Sequence, residues 1–288
     1  MPSCKSPGPC PVVGSSRKPV PAGSKSQDFF VGREREKELY KKFLAKEIPW
    51  VLIITGLGGI GKTTLLHVLK DFTPRESMLS DTSVVMVDFA QEKYRKYPLT
   101  VIEKLANDTL LDCNTQLINQ ELRHNLQHNF DQLTQLADKR AKTSINESED
   151  RALQEIYHQM RELATQELYL QLDTFKLRRL VIMLDTCEWL NEPEGIEVGQ
   201  WVLNELIPGI HTQMQQQGRQ CSVLFASRVQ PKLDVIAGQE QRRLTLPMLD
   251  KQAVDQYLAH VGMQDSSLRQ YIFEITHGHA LSISLKRT

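Results

Sequence analysis

The chain has 288 residues, 40% of them hydrophobic, and 35 basic against 35 acidic side chains, for a formal net charge of zero. That length can bury a full core and a second small one, and the charge balance gives no global drive toward nucleic acid or an anionic membrane. No apolar stretch approaches transmembrane length, the N-terminus lacks the apolar core of a secretory signal, and the five cysteines (Cys4, Cys10, Cys113, Cys187, Cys221) show no metal-ligand spacing, so a cytoplasmic protein with reduced thiols is expected.

Residues 1–27 are rich in Pro, Ser, Gly and Lys and cannot bury enough apolar surface to order themselves, so they are expected to form a disordered tail. Order is expected from Phe29-Phe30-Val31-Gly32-Arg33-Glu34, followed by a helix with Leu39, Tyr40, Phe43 and Leu44 on one face. The alternating charges from Arg33 to Glu38 predict a solvated face. Trp50–Thr55 is an apolar, β-branched run that predicts a buried strand. A glycine-rich loop follows, then the first turns of a helix at Leu65–Lys70. Ser83–Phe89 predicts a second strand and Leu99–Leu111 a helix. From Leu117 to Ala137, Leu122, Leu126, Phe130 and Leu133 recur at helical spacing. From Ala152 to Phe175, Leu153, Ile156, Met160, Leu163, Leu168 and Leu172 do the same. Together these predict an antiparallel helical hairpin inserted at about 112–176. His124 and His128 share a face of its first helix, but no carboxylate or Cys completes a ligand set, which favours solvated histidines. Leu180–Asp185 and Cys221–Ser227 predict two more strands, Gly199–Gln216 a helix between them, and Leu244–Leu246 a short edge strand. Asp250 fits the N-cap of a helix through Val261, and Ser266–His277 predicts another.

The chemistry concentrates in Gly56-Leu57-Gly58-Gly59-Ile60-Gly61-Lys62-Thr63-Thr64, which meets every fixed position of G-x-x-x-x-G-K-[ST] between a predicted strand and a predicted helix. Glycines let the backbone curl so that its N–H groups face a phosphate chain, and the helix N-terminus adds positive potential. Lys62 would reach the β- and γ-phosphates, and the Thr63 hydroxyl would ligand Mg²⁺. Asp185 ends an apolar strand, where a carboxylate can complete the metal site. Glu188, three residues on, could polarise an attacking water. Arg228 closes the next strand, where a guanidinium can distinguish ATP from ADP. Cys187 has no His or Cys partner and reads as a packing residue.

Val31-Gly32-Arg33-Glu34, Gly56 to Thr64, Leu184-Asp185-Thr186-Cys187-Glu188, Phe225-Ala226-Ser227-Arg228, Leu246-Pro247-Met248-Leu249 and Gly278-His279-Ala280-Leu281 occur in that order. The series resembles the nucleotide-binding core of STAND NTPases, which include the NB-ARC and NACHT types, over about residues 29–285. The resemblance implies that Val31, Gly32 and Arg33 line the adenine pocket and that Thr64 touches the α-phosphate. It also implies that Arg228 is the sensor arginine and that the turn at His279 contacts base or ribose. Ala280 stands where the family pattern usually has Pro, and Thr186-Cys187 intervene before the acidic residue at 188. The winged-helix domain and sensing repeats of the family have no room after Thr288, so a piece of a larger protein with effector or sensor domains is expected.

The expected fold is a three-layer α/β P-loop NTPase with a mostly parallel sheet over 28–235, the helical insertion, and an edge strand and incomplete helical lid over 236–288. The expected function is a Mg²⁺-dependent ATP/ADP switch with slow hydrolysis that controls conformation or homo-oligomerisation. The alternatives are an AAA-type ATPase engaged with DNA, although nucleic acid is not indicated by the composition, and a nucleotide-bound scaffold or fragment without turnover. A small-molecule kinase would need an Arg-rich closing lid, for which there is no candidate. The Asn-Lys-x-Asp motif of GTPases is absent, and the resemblance favours adenine.

Overall fold

The computed structural model describes residues 30–73, 82–112, 131, 147–174, 177–229 and 241–285. The expected tail (1–27), the expected helix Leu117–Ala137 apart from Asp131, the His124/His128 pair and the expected domain boundary at 235 lie outside the described residues.

Five strands, β1 (Val51–Thr55), β2 (Thr82–Asp88), β3 (Arg179–Asp185), β4 (Gln220–Ser227) and β5 (Gln241–Thr245), form one sheet in the order β2-β3-β4-β1-β5. Every pairing among them is parallel. The central strands read as continuous apolar runs because both faces are covered. Val51, Ile53, Val223 and Phe225 enter one core; their alternates Leu52, Ile54, Leu224 and Ala226 enter the other. The first core is closed by α4 (Pro98–Asp112), α5 (Glu147–Thr174) and α6 (residues 196–216), through Ile102 and Leu105, Leu168 and Leu172, and Trp201 and Ile210. The short α3 (Glu92–Lys96) leads into α4. The second core is closed by α1 (Glu34–Leu44) and α2 (Lys62–Phe72), through Tyr40, Phe43, Leu65, Leu66 and Leu69. This is the expected three-layer α/β architecture.

α6 starts at Ile196, three residues before its expected start, and contains a π turn at Val202–Leu206 ahead of Pro208. Proline lacks the N–H that would bond four residues back and its ring crowds that carbonyl, so a widened turn lets the helix continue. β5 is one of the two sheet edges among the described residues, and its Arg242 and Arg243 are exposed, which discourages pairing with another chain.

Two expectations are corrected by packing. Arg33 and Glu36 are not solvated: they are 2% and 7% exposed and pair at 3.5 Å. The alternation of charge along α1 hides that Arg33 meets the phosphate loop and the segment ahead of the lid rather than water. Leu163 points to solvent, because α5 buries the line Ala164, Leu168, Leu172, about 100° away around the helix. The last part of α5 therefore belongs to the helical layer of the main core.

A small lid follows β5: α7 (Lys251–His260), α8 (Ser266–Thr276) and α9 (Ala280–Leu285) pack around Val254, Leu258, Ile272 and Ile283. Asp250 caps α7, accepting from the Ala253 N–H at 2.8 Å, and Asp265 caps α8 through the Ser267 and Leu268 N–H groups.

Candidate functional site

The carboxyl ends of β1, β2, β3 and β4 and the lid helices enclose a cavity of about 670 Å³, within the range of small-molecule sites. From the expected set it is lined by Val31, Arg33, Gly58 to Thr64, Asp185, Glu188 and Arg228. Gly32, Gly56, Leu57 and His279 are not on its wall. Phe30, Asp88, Ala90, Thr186, Leu249, Tyr257 and Ile283 complete it and lie outside the expected set, together with Ala280 and Leu281 of the lid turn for which a base or ribose contact was expected. Asp88 carries the same signal as Asp185, an apolar strand ending in Asp, and could have been found by it.

The absent four have structural places. Gly56 and Leu57 offer their carbonyls to Lys62 Nζ at 2.8 and 2.9 Å, which folds the ammonium back onto the loop. Burial pulls the Lys62 pKa down, the carboxylates of Glu188 and Asp185 push it up, and Arg228 pulls it down further. Gly32 has φ +73 and lies so close to α7 that a Cβ there would stand 2.4 Å from Ala253 Cβ. His279 donates from Nε2 to the Gly58 carbonyl at 2.8 Å, while Nδ1 faces the Ser282 hydroxyl at 3.0 Å. The carbonyl can only accept, which fixes the tautomer. The Leu281 N–H bonds the Gly59 carbonyl at 3.0 Å. His279 thus meets the backbone of the phosphate loop, while Ala280 and Leu281 of the same turn line the cavity. Gly59 has φ +74, and a Cβ on it would come within 2.8 Å of Leu281 Cβ.

Arg33 ties three segments together. It pairs with Glu36 and donates from Nη2 to Ile60 O in the loop at 3.3 Å and to Pro247 O, ahead of the lid, at 2.9 Å.

Asp185 is 1% exposed, and its Oδ2 has no hydrogen-bond partner among the described residues. Oδ1 accepts from the Thr186 N–H at 2.9 Å. Burial pushes its pKa up, the nearby Thr63 hydroxyl and the Thr186 N–H pull it back, and Asp88 and Glu188 add to the rise. Among the described residues no group of three or more His, Cys, Asp or Glu could hold a metal. Mg²⁺ typically takes one or two carboxylates, water and substrate phosphates. An orphaned buried carboxylate oxygen beside a threonine hydroxyl is a donor set that suits it.

Thr186 has φ +57, a rare conformation for a β-branched residue, and its hydroxyl donates to Asp88 Oδ1 at 2.8 Å. Glu188 is engaged at both oxygens: Oε2 accepts from the Ser227 hydroxyl and the Arg228 N–H, and Oε1 pairs with Arg228 Nε at 3.0 Å. Cys187 is fully buried with its thiol pKa pushed well up by that burial, in keeping with a packing role.

No family model matches the sequence, and no curated protein matches it. In fold it is similar to Cdc6p from Pyrobaculum aerophilum (TM-score 0.53, 14% identity, 93% of this chain and 63% of that one). It is also similar to a structure of Drosophila ORC bound to DNA (0.51, 15%, 100% and 64%) and to the Aeropyrum pernix ORC2 protein in ADPNP–ADP complexes (0.51, 14%, 90% and 62%). The fold, a five-stranded parallel sheet between helical layers with a phosphate loop after its β1, is the one these structures share. Identities this low speak for the fold alone, and the chain spans less than two thirds of each of these proteins. Among the described residues no helix is long and apolar enough to cross a membrane.

Proposed function

We propose that this chain is the nucleotide-binding core of an ATP/ADP switch that hydrolyses ATP slowly and changes conformation or self-association with the nucleotide held. The observation that carries this is the convergence of a complete phosphate loop, an unpartnered buried Asp185 oxygen and an arginine on one cavity roofed by a lid that hydrogen-bonds the loop itself. Lys62 exchanges its two loop carbonyls for phosphate oxygens. Thr63 and Asp185 would hold Mg²⁺, which supplies neutralisation of phosphate charge. Arg228 is 65% exposed, so its pair with Glu188 is worth at most about 1 kcal/mol and yields easily to a γ-phosphate. Its departure frees Glu188 to position water, coupling the γ-phosphate to both the sensor and the base. The signal-transduction assignment rests on the ordered motif series of the STAND resemblance, and the larger protein's effector domains belong to the same proposal.

The test is the ratio of ATP to ADP affinity. It should favour ATP in the wild type and fall toward unity in Arg228→Ala. An unchanged ratio in the variant would remove Arg228 from the sensing role. A Glu188→Gln variant that turns over ATP as fast as wild type would remove Glu188 from water positioning, and a wild type without turnover would favour a nucleotide-bound scaffold.

A second reading is an AAA+ ATPase engaged with DNA. It is favoured by the likeness to a DNA-bound ORC structure, and it runs against the expectation drawn from neutral composition. Duplex binding that weakens steeply with salt would support it.

A further inference from the structure

We propose that Asp88 is a second carboxylate of the divalent-cation site, holding the ion's water shell from β2 while Asp185 acts from β3. The proposal rests on the nucleotide reading above and adds to it a residue outside the strand–loop–helix motif. The parallel register sets Asp88 directly beside Asp185 at the carboxyl edge of the sheet. Both line the cavity that the phosphate loop opens into.

Thr186 joins the two. Its N–H serves Asp185 Oδ1 and its hydroxyl serves Asp88 Oδ1, from a left-handed backbone conformation that is strained for a β-branched residue and needs such bonds to hold it. The Ala90 N–H also lands on Asp88 Oδ1, so Oδ2 takes no hydrogen bond among the described residues. One unpartnered oxygen on each of two adjacent carboxylates, the Asp185 oxygen buried, is an arrangement that repels itself until a cation stands against it. Glu188 already has its own place in the reading above: Ser227 and Arg228 hold both of its oxygens here, and the oxygen that Arg228 releases to a γ-phosphate is the one that positions water. Mg²⁺ keeps several waters when it binds beside phosphates, and those waters need acceptors; a half-buried carboxylate next to the direct ligand supplies one.

The experiment measures ATP affinity by calorimetry across a Mg²⁺ series and in EDTA, for the wild type, Asp88→Asn and Asp185→Asn. Asparagine still accepts from the Ala90 N–H and the Thr186 hydroxyl, so the Asp88→Asn backbone should be preserved. Asp88→Asn should lose roughly 10-fold or more of the Mg²⁺-dependent gain in ATP affinity. Its affinity in EDTA should be unchanged or tighter, because a negative charge near the phosphates has gone. A merely structural role would weaken binding equally with and without metal. Thr186→Gly, which suits a left-handed backbone and removes the hydroxyl, should move the Mg²⁺ dependence in the same direction and keeps the test available if Asp88→Asn fails to fold. A full Mg²⁺-dependent gain in Asp88→Asn, with the gain lost in Asp185→Asn, overturns the proposal and leaves the nucleotide reading standing. A folded wild type that binds no ATP overturns both.

Discussion

Replacing Arg33 by alanine tests how the loop, the lid and the N-terminal segment are held as one body. The side chain is 3% exposed, paired with a Glu36 that is 7% exposed, and it serves two carbonyls from distant segments. Removal strands a buried carboxylate and the buried Ile60 carbonyl, and takes the donor from the part-buried Pro247 carbonyl. Breaking a buried pair from one side typically costs about 3–5 kcal/mol, far more than the surface pairs elsewhere on α1. For a domain of this size each kcal/mol moves Tm by about 2–4 °C, so a loss on the order of 10 °C is expected by calorimetry. The double variant Arg33→Ala/Glu36→Ala should cost clearly less than the sum of the two singles, since it leaves no unpaired charge; a coupling of about 1–3 kcal/mol is expected from denaturant melts. Hydrogen exchange should also show α7 to α9 opening more often in Arg33→Ala, because the Pro247 carbonyl loses its donor. Two singles that add without coupling, each shifting Tm by less than about 2 °C, would refute the buried-pin account.

Three further outcomes follow from the same geometry. Gly59→Ala places a Cβ at φ +74 against Leu281 and His279, so it should cost about 1–2 kcal/mol, expose the Leu281 amide to exchange and weaken nucleotide binding. Asp185→Asn should raise the Tm of the nucleotide-free protein at neutral pH. Burial raises the folded pKa of Asp185 above 3.8, so its charged form is a stability cost at every pH above that window. An unchanged or lower Tm would contradict this. His211 stacks on Trp50 with ring centroids 3.8 Å apart, and burial holds its pKa below 6.5. The fold then binds fewer protons than the unfolded chain, so stability is full above about 6.5 and falls as pH drops from there through the lowered value. Urea melts at several pH values should show that slope in the wild type and lose it in His211→Phe.

Much of this was legible in local sequence. The strands are apolar runs because both sheet faces are covered, and the phosphate loop sits between a strand and a helix as its glycines and Lys62 require. Asp250 announced its cap. What was illegible depends on contacts distant in sequence. Arg33 reads as one charge among six, and only the carbonyls of Ile60 and Pro247 make it a buried pin. His279 reads as a nucleotide contact by resemblance, yet its partner is a loop carbonyl 221 residues away. Glu188 reads as a free base, and its engagement by Arg228 and Ser227 is set by β4 lying next to β3. Asp88 ends a strand with no motif attached to it, and only strand register brings it beside Asp185.

The central claim is that this cavity binds a nucleotide through the phosphate loop. The most direct measurement is ATP and ADP binding, with Mg²⁺, to purified wild type and Lys62→Ala, alongside melts showing that both are folded. Lys62 makes charge-assisted contacts to phosphate in this account, each worth about 1.5–3 kcal/mol, so the variant should lose about 10- to 100-fold in affinity or more. Equal affinity in the two proteins, or a folded wild type that binds neither nucleotide, would contradict it.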